Sequence, residues 1–267
     1  MNVGVKMSKE KAPKTGFQLN RARRKLKNGD PVILEGVDVV FTRIEERDFR
    51  FVTTHARDPI QRKWRKGVFY EPKELAAIKA HFPRGGTFVD IGANVGNHSL
   101  YVAGFLSPAK VIPFEPNPAA YKLLIANIAM NGFLDVFDLS HLGVGLAERA
   151  GEGFAMVEQP RNLGGSKMRE GAGGGLEVVV GDDVLRTETP DMIKIDVEGM
   201  EMKVLRGLEE TIRRTRPVLL LEIDDENNAD FQDWIAPFDY DVVEEVRRYQ
   251  NNTNYVLVPR AKAGETS

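Results

Sequence analysis

Phe88-Val89-Asp90-Ile91-Gly92-Ala93-Asn94-Val95-Gly96-Asn97 is the stretch that decides the fold. A short apolar run, Thr87 to Ile91, stops at a Gly-rich turn, and a helical pattern continues from Asn97 to Leu106. A strand that feeds a helix through such a turn is the ligand-binding corner of open α/β sheets. Outward from it, Lys110–Phe114 reads as a second strand and Ala119–Met130 as a helix stopped by Asn131-Gly132. Phe133–Leu139 reads as a third strand, Ile193–Val197 as a fourth, Glu201–Arg214 as a helix and Val218–Ile223 as a fifth strand. This alternation predicts a mostly parallel sheet with helices on both faces. Asp241–Val246 and Tyr255–Val258, joined by the polar link Asn251–Asn254, predict a closing antiparallel hairpin.

The turn discriminates among ligands. A dinucleotide fingerprint needs glycine at three positions so that the backbone can approach a pyrophosphate. Gly92 fits the first, but Asn94 and Asn97 hold the other two. Asp90, at the strand tip, repels a phosphate. The turn residues Asp90, Gly92, Ala93, Asn94 and Gly96 therefore suit a cationic ligand, and S-adenosyl-L-methionine, with its sulfonium and α-amino charges, fits. Glu115 ends the second strand and Asn117 follows it. An acidic residue there can accept both ribose hydroxyls. NAD carries the same ribose, so Glu115 supports a nucleoside without choosing between the two. Helix capping is the competing reading of Asp90 and Glu115.

Before the turn, Val32–Leu34, Val37–Phe41 and Phe49–Val52 read as short strands, and Glu71–Phe82 as a helix with Pro72 at its first turn. Residues 151–175 hold eight glycines and read as one long functional or mobile loop. The 267 residues suffice for a sizeable core, and the absence of cysteine excludes a disulfide framework, a thiolate metal site and a Cys nucleophile. Charge is uneven: residues 1–66 carry 17 Lys/Arg against 8 Asp/Glu, and the remainder 20 against 31. No run reaches transmembrane length and no apolar signal opens the chain, so the expected localisation is cytoplasmic. The expected organisation is a basic flexible tail at 1–30, a strand-rich accessory segment at 31–66, a catalytic domain at 67–260 and a tail at 261–267.

FVDIGANVGNHS at 88–99, VIPFEPNPAAYKLLIANIAMNG at 111–132 and IKIDVEGMEMKVLRG at 193–207 together resemble the FkbM-type S-adenosylmethionine-dependent methyltransferases. Pro217–Glu222, Gly67–Pro72 and Asn162–Gly165 add to the likeness, which spans about 67–260. The resemblance implies a Rossmann-like class I methyltransferase fold, α/β, with a seven-stranded sheet whose last strand is antiparallel. It also implies methyl transfer to oxygen, on sugars or secondary metabolites, and places Glu71, in the Tyr-Glu-Pro entry, over the cofactor.

The chemistry is expected at Lys194, Asp196, Glu198 and Glu222. Lys194 and Asp196 share a strand face, and Glu198 lies at or beyond the strand's end. A lysine within an apolar strand needs a carboxylate partner, with Asp196 or Glu222 expected. An alcohol must lose its proton during methyl transfer, which gives Asp196 the role of base or hydroxyl orienter. Glu198 and Glu222 would contact the acceptor, and Lys194 would hold the carboxylates and lower their pKa. A structural Lys–Asp pair is the competing reading. Asp196, Glu198 and Glu222 also offer the oxygen ligands that Mg²⁺ or Ca²⁺ prefers, although the spacing requires no metal. His98 fits either an active-site or a packing role, and His141 either an adenine neighbour or a solvated loop.

The expected partner is a small-molecule or glycan substrate, and oligomeric state is not encoded legibly. A nicotinamide-dependent oxidoreductase is the first alternative, opposed by the missing glycines. An RNA-modifying methyltransferase using the basic arm at Arg21–Lys27 is the second, although no firm signal for nucleic acid accompanies that arm.

Overall fold

The computed structural model describes residues 18–261, apart from 158, 160, 161, 170, 172, 173, 248 and 249. The chain divides into two compact units, Met1–Val32 and Ile33–Ser267. In the first, Leu19–Lys27 forms helix α1, and Arg24, Lys25 and Lys27 complement the dipole of its last turn; residues 1–17 of the expected tail at 1–30 lie outside the described residues. The expected strand at Val32–Leu34 is not formed, and Ile33 stands exposed.

In the second unit, β1 (Asp38–Ile44) and β2 (Arg47–Thr53) form an antiparallel hairpin. Helices α2 (Pro59–Trp64) and α3 (Pro72–His81) follow. Stacked Phe51 and Trp64 rings, 4.4 Å apart, pack α2 onto the hairpin. The open edge of β2 is closed by side chains of a later helix: Asn127 and Asn131 accept from Val52 N and Arg50 N. The accessory segment from Ile33 onward is thus built into the same unit as the sheet.

Strand β3 (Thr87–Ile91), helix α4 (Asn97–Phe105), β4 (Lys110–Phe114) and α5 (Pro118–Met130) match the sequence expectation closely. Next come β5 (Val144–Ala147), β6 (Gly151–Val157), β7 (Lys167–Arg169), β8 (Leu176–Val180) and α6 (Gly181–Val184). The chain ends with β9 (Met192–Ile195), α7 (Glu201–Arg206), α8 (Glu209–Thr215), β10 (Val218–Asp224), α9 (Asn228–Ile235), β11 (Tyr240–Val246) and β12 (Asn252–Pro259).

The main sheet has the order β11-β12-β10-β9-β3-β4, with β12 antiparallel to both neighbours and β10, β9, β3 and β4 mutually parallel. Six strands pair among the described residues, where seven were expected. The expected strand at 133–139 contributes only the single parallel bridge Val111↔Phe137; the chain turns at Asp138–Ser140 and makes a second bridge, Glu115↔Leu142, beyond it. The Gly-rich loop at 151–175 is also corrected: its described residues hold β6 and β7, which join β5 and β8 in a second sheet, order β5-β8-β6-β7.

Side chains alternate across the main sheet. Val89, Ile91, Ile112, Phe114, Ile193, Ile195, Leu219 and Leu221 pack with Met202, Leu205, Ile212 and Phe231 from α7, α8 and α9. Fully burying one such side chain contributes about 1.5–3 kcal/mol. Asp90, Lys194 and Glu222 point to the opposite face, and the parallel register sets Asp90 directly beside Lys194. Among the described residues no helix is long and apolar enough to cross a membrane.

Candidate active site

The turn after β3 is held by β4 rather than by its own side chains. Gly92 N and Ala93 N both donate to Phe114 O at 3.0 Å. Asn94 N and Asn117 N donate to the two carboxylate oxygens of Glu115, each at 2.8 Å. Gly92 has φ +79°, and a Cβ there would lie 1.8 Å from the Asp196 carbonyl oxygen. Only glycine lets the end of β9 pass that close. Burial pushes Glu115 up to about 7, against the pull of its two N–H donors and Lys194.

On the same sheet face, Lys194 Nζ donates to Gly92 O at 3.1 Å and lies 3.3 Å from Asp90 Oδ1 and 3.4 Å from Asp196 Oδ2. Ser99 Oγ donates to the other Asp90 oxygen at 2.6 Å. The lysine's expected partners were Asp196 and Glu222; the structure gives it Asp196 and Asp90. Burial opposes the ammonium charge, but Asp90 and Asp196 outweigh it and hold Lys194 above the ordinary lysine value. The expectation that Lys194 lowers the pKa of its partner is met only as an opposing force. Burial raises Asp196 above the usual carboxylate range, with Lys194 acting against it.

Two cavities meet over this layer. The larger, an open cleft of about 640 Å³ counted out into the solvent at its mouth, is bordered by Gly92, Asn94, Glu115, Asn117, Asp196 and Glu198. The smaller, about 250 Å³, is bordered by Glu71, His98, Lys194, Asp196, Glu222 and Asn254. Asp196 belongs to both. Burial, reinforced by Asp196, Glu71 and Glu198, drives Glu222 up to about 9. Glu198, left-handed at φ +53°, is pushed up to about 7 by burial and by Asp196. Ligand atoms of Asp196, Glu198 and Glu222 all lie within 4.8 Å of one another, so the three carboxylates converge.

Several expected roles shift. Asp90 is fully buried, and Asp90, Ala93 and Gly96 are not among the residues that line the larger cleft. Glu71 borders the carboxylate chamber and not the larger cleft. Reciprocal bonds between Asn97 and the Tyr70 backbone pin the start of α3 there, and Glu71 Oε2 sits 3.3 Å from His98 Nε2. His141 stacks on Phe114, ring centroids 4.9 Å apart, under the cleft wall.

Other contributors were not anticipated. Met156, Met168, Val144 and Leu146 bring the second sheet to the cleft. The link read as Asn251–Asn254 is strand from Asn252, and its amides serve the site: Asn252 donates to Glu222 at 2.6 Å and Asn254 to Glu74 at 2.9 Å. The β-branched run Leu176–Val180 carried a strand signal, and the glycine count masked the one at Glu152–Met156.

A crystal structure of methyltransferase FkbM from Methylobacillus flagellatus KT superposes with a TM-score of 0.50 and 18% identity, over 70% of this chain and 48% of that one. Methyltransferase sdnD of Sordaria araneosa is 31% identical over 49% of this chain and 63% of its own length. Hexuronic acid methyltransferase AglP of Haloferax volcanii is 26% identical over 49% of this chain and 53% of its own length. The chain thus spans about half to under two thirds of the length of these proteins. Residues 90–257 match the methyltransferase FkbM domain, from the buried Asp90 under the turn to Leu257 in the antiparallel strand. With the α/β sheet and its Gly-rich corner in place, that match makes the chain a member of the FkbM methyltransferase family.

Proposed function

We propose that the chain is an S-adenosyl-L-methionine-dependent O-methyltransferase acting on a hydroxyl of a sugar, glycolipid or secondary metabolite. The observation that carries this reading is Asp196, which borders both the cleft over the glycine turn and the carboxylate chamber. A nucleoside in the cleft would set its ribose hydroxyls on Glu115, beside Asn94 and Asn117. An acceptor hydroxyl in the chamber would reach Asp196. Methyl transfer is an in-line displacement, so holding donor and acceptor at one shared residue supplies much of the catalysis. Asp196, raised by burial yet paired with Lys194, takes the hydroxyl proton as the carbon–oxygen bond forms and the sulfur leaves with the electron pair. Support for the acceptor class comes from the hexuronic acid methyltransferase among the relatives.

Calorimetry with S-adenosylmethionine and S-adenosylhomocysteine, followed by a labelled-methyl assay over glycan and lipid extracts, tests the reading. Binding of both and label in a base-stable ether supports it; absence of binding at high micromolar ligand overturns it.

The convergence of Asp196, Glu198 and Glu222 favours one second reading, in which a divalent cation sits among them. Their all-oxygen donor set fits Mg²⁺ or Ca²⁺, which would then help hold the acceptor's oxygens. Activity lost on chelation and restored by Mg²⁺ selects this variant; activity that survives chelation selects carboxylates acting alone.

A further inference from the structure

Asp58 is a carboxylate that the chemistry above leaves unused, yet it is 1% exposed. It stands at the N-cap of α2, where its Oδ1 accepts from Gln61 N at 3.0 Å. Its second oxygen accepts from Leu163 N, also at 3.0 Å, across 105 positions of chain. Gln61 is itself locked, because its side-chain oxygen accepts from Thr54 N and His55 N at 2.7 and 2.9 Å. Asp58 therefore stands on a fixed platform made by the hairpin and α2.

The other end of the bond matters for the cleft. Leu163, Gly164 and Ser166 line it. Gly164 is pressed against the turn after β3: a Cβ there would sit 2.8 Å from Asn94 Nδ2. A capping carboxylate needs only one N–H to start its helix. The second bond ties a cleft wall to the accessory segment.

We infer that Asp58 is a positioning residue for the cofactor: it holds the Leu163–Ser166 turn against Asn94 and so completes the wall of the larger cleft. Residues 33–66, outside the family match at 90–257, become part of the cofactor site. The inference rests on the cofactor reading above.

Asp58→Ser and Asp58→Asn test it, since both residues still cap a helix while neither offers Leu163 N a carboxylate. Two readouts are needed: hydrogen exchange of the peptide covering 162–168, and calorimetric titration with S-adenosylhomocysteine. Loss of a buried charge-assisted bond predicts faster exchange in 162–168 and binding weakened about tenfold to a hundredfold. With an active acceptor, KM for S-adenosylmethionine rises while acceptor KM and kcat at saturating cofactor stay within about twofold. Unchanged exchange at 162–168 in both variants overturns the inference, whatever the ligand result. So does faster exchange with unchanged binding. A wild-type protein that binds no ligand refutes the cofactor reading instead, and is distinguished by its own flat titration.

Discussion

Lys194 Nζ lies 3.3 Å from Asp90 Oδ1 while donating to the Gly92 carbonyl, so one buried ammonium joins the β3 strand, the glycine turn and the β9 carboxylate. Asp90 is therefore coupled to the turn through Lys194. Removing its charge leaves Asp196 as the carboxylate in contact with Lys194, with Glu71 acting from further away. Asp90→Asn keeps the shape and the Ser99 bond and should lower stability by about 1–3 kcal/mol, measured by urea unfolding. Asp90→Ala should cost about 3–5 kcal/mol, the usual penalty for stranding a buried partner. Equal stability of the two variants would show that charge is not what Lys194 requires.

Asp196 carries the proposed chemistry. Asp196→Asn keeps a hydrogen-bonding oxygen for the acceptor but cannot take its proton. The expected result is a fall in kcat of about 10²–10⁴-fold, with S-adenosylmethionine affinity kept within a few-fold. Steady-state rates beside calorimetry check it. A loss confined to cofactor affinity would move Asp196 out of the base role.

The corner of the fold was legible because its signals are local. Strand β3, the Gly-rich turn and α4 follow from an apolar run, glycines and a helical period within 20 residues, and Glu115 from its place at the next strand end. What escaped the sequence is carried by distance. Nothing local says that Asp90 faces Lys194, since the register of β3 and β9 across some 100 residues decides it. Gly92 was read as room for a ligand, and it also makes room for the Asp196 carbonyl. The second sheet escaped because its short strands are stabilised by mutual pairing, while glycines hide their alternation. Asn252–Asn254 looked like a turn by composition, and became strand because β10 supplies a partner and Glu222 and Glu74 absorb the amides.

With the proposed cofactor in the cleft, Glu115 should give its binding a pH signature. Burial places its carboxyl at about 7, so the anionic form that best accepts hydroxyls is filled between pH 6 and 8. Affinity for S-adenosylmethionine should rise over that range in the wild type. Glu115→Gln should bind about tenfold more weakly at pH 8 and show a flat profile. Calorimetry at three pH values is sufficient; an equally steep profile in the variant would assign the titration to another group.

Glu222 links the carboxylate chamber to stability. Its folded-state carboxyl is raised from 4.5 to about 9, through burial and then through Asp196, Glu71 and Glu198. The folded state thus binds a proton that the unfolded chain has released above its own pKa, so the slope of unfolding free energy with pH is negative. The contribution is complete below about pH 4.5 and is lost as pH rises towards about 9. Glu222→Gln keeps the shape of the protonated side chain and cannot ionise. The variant should match wild type near pH 5 and exceed its Tm by about 2–4 °C at pH 9, read by thermal unfolding. Were the wild type equally stable across that interval, the chamber would have to hold a counter-charge beyond Lys194.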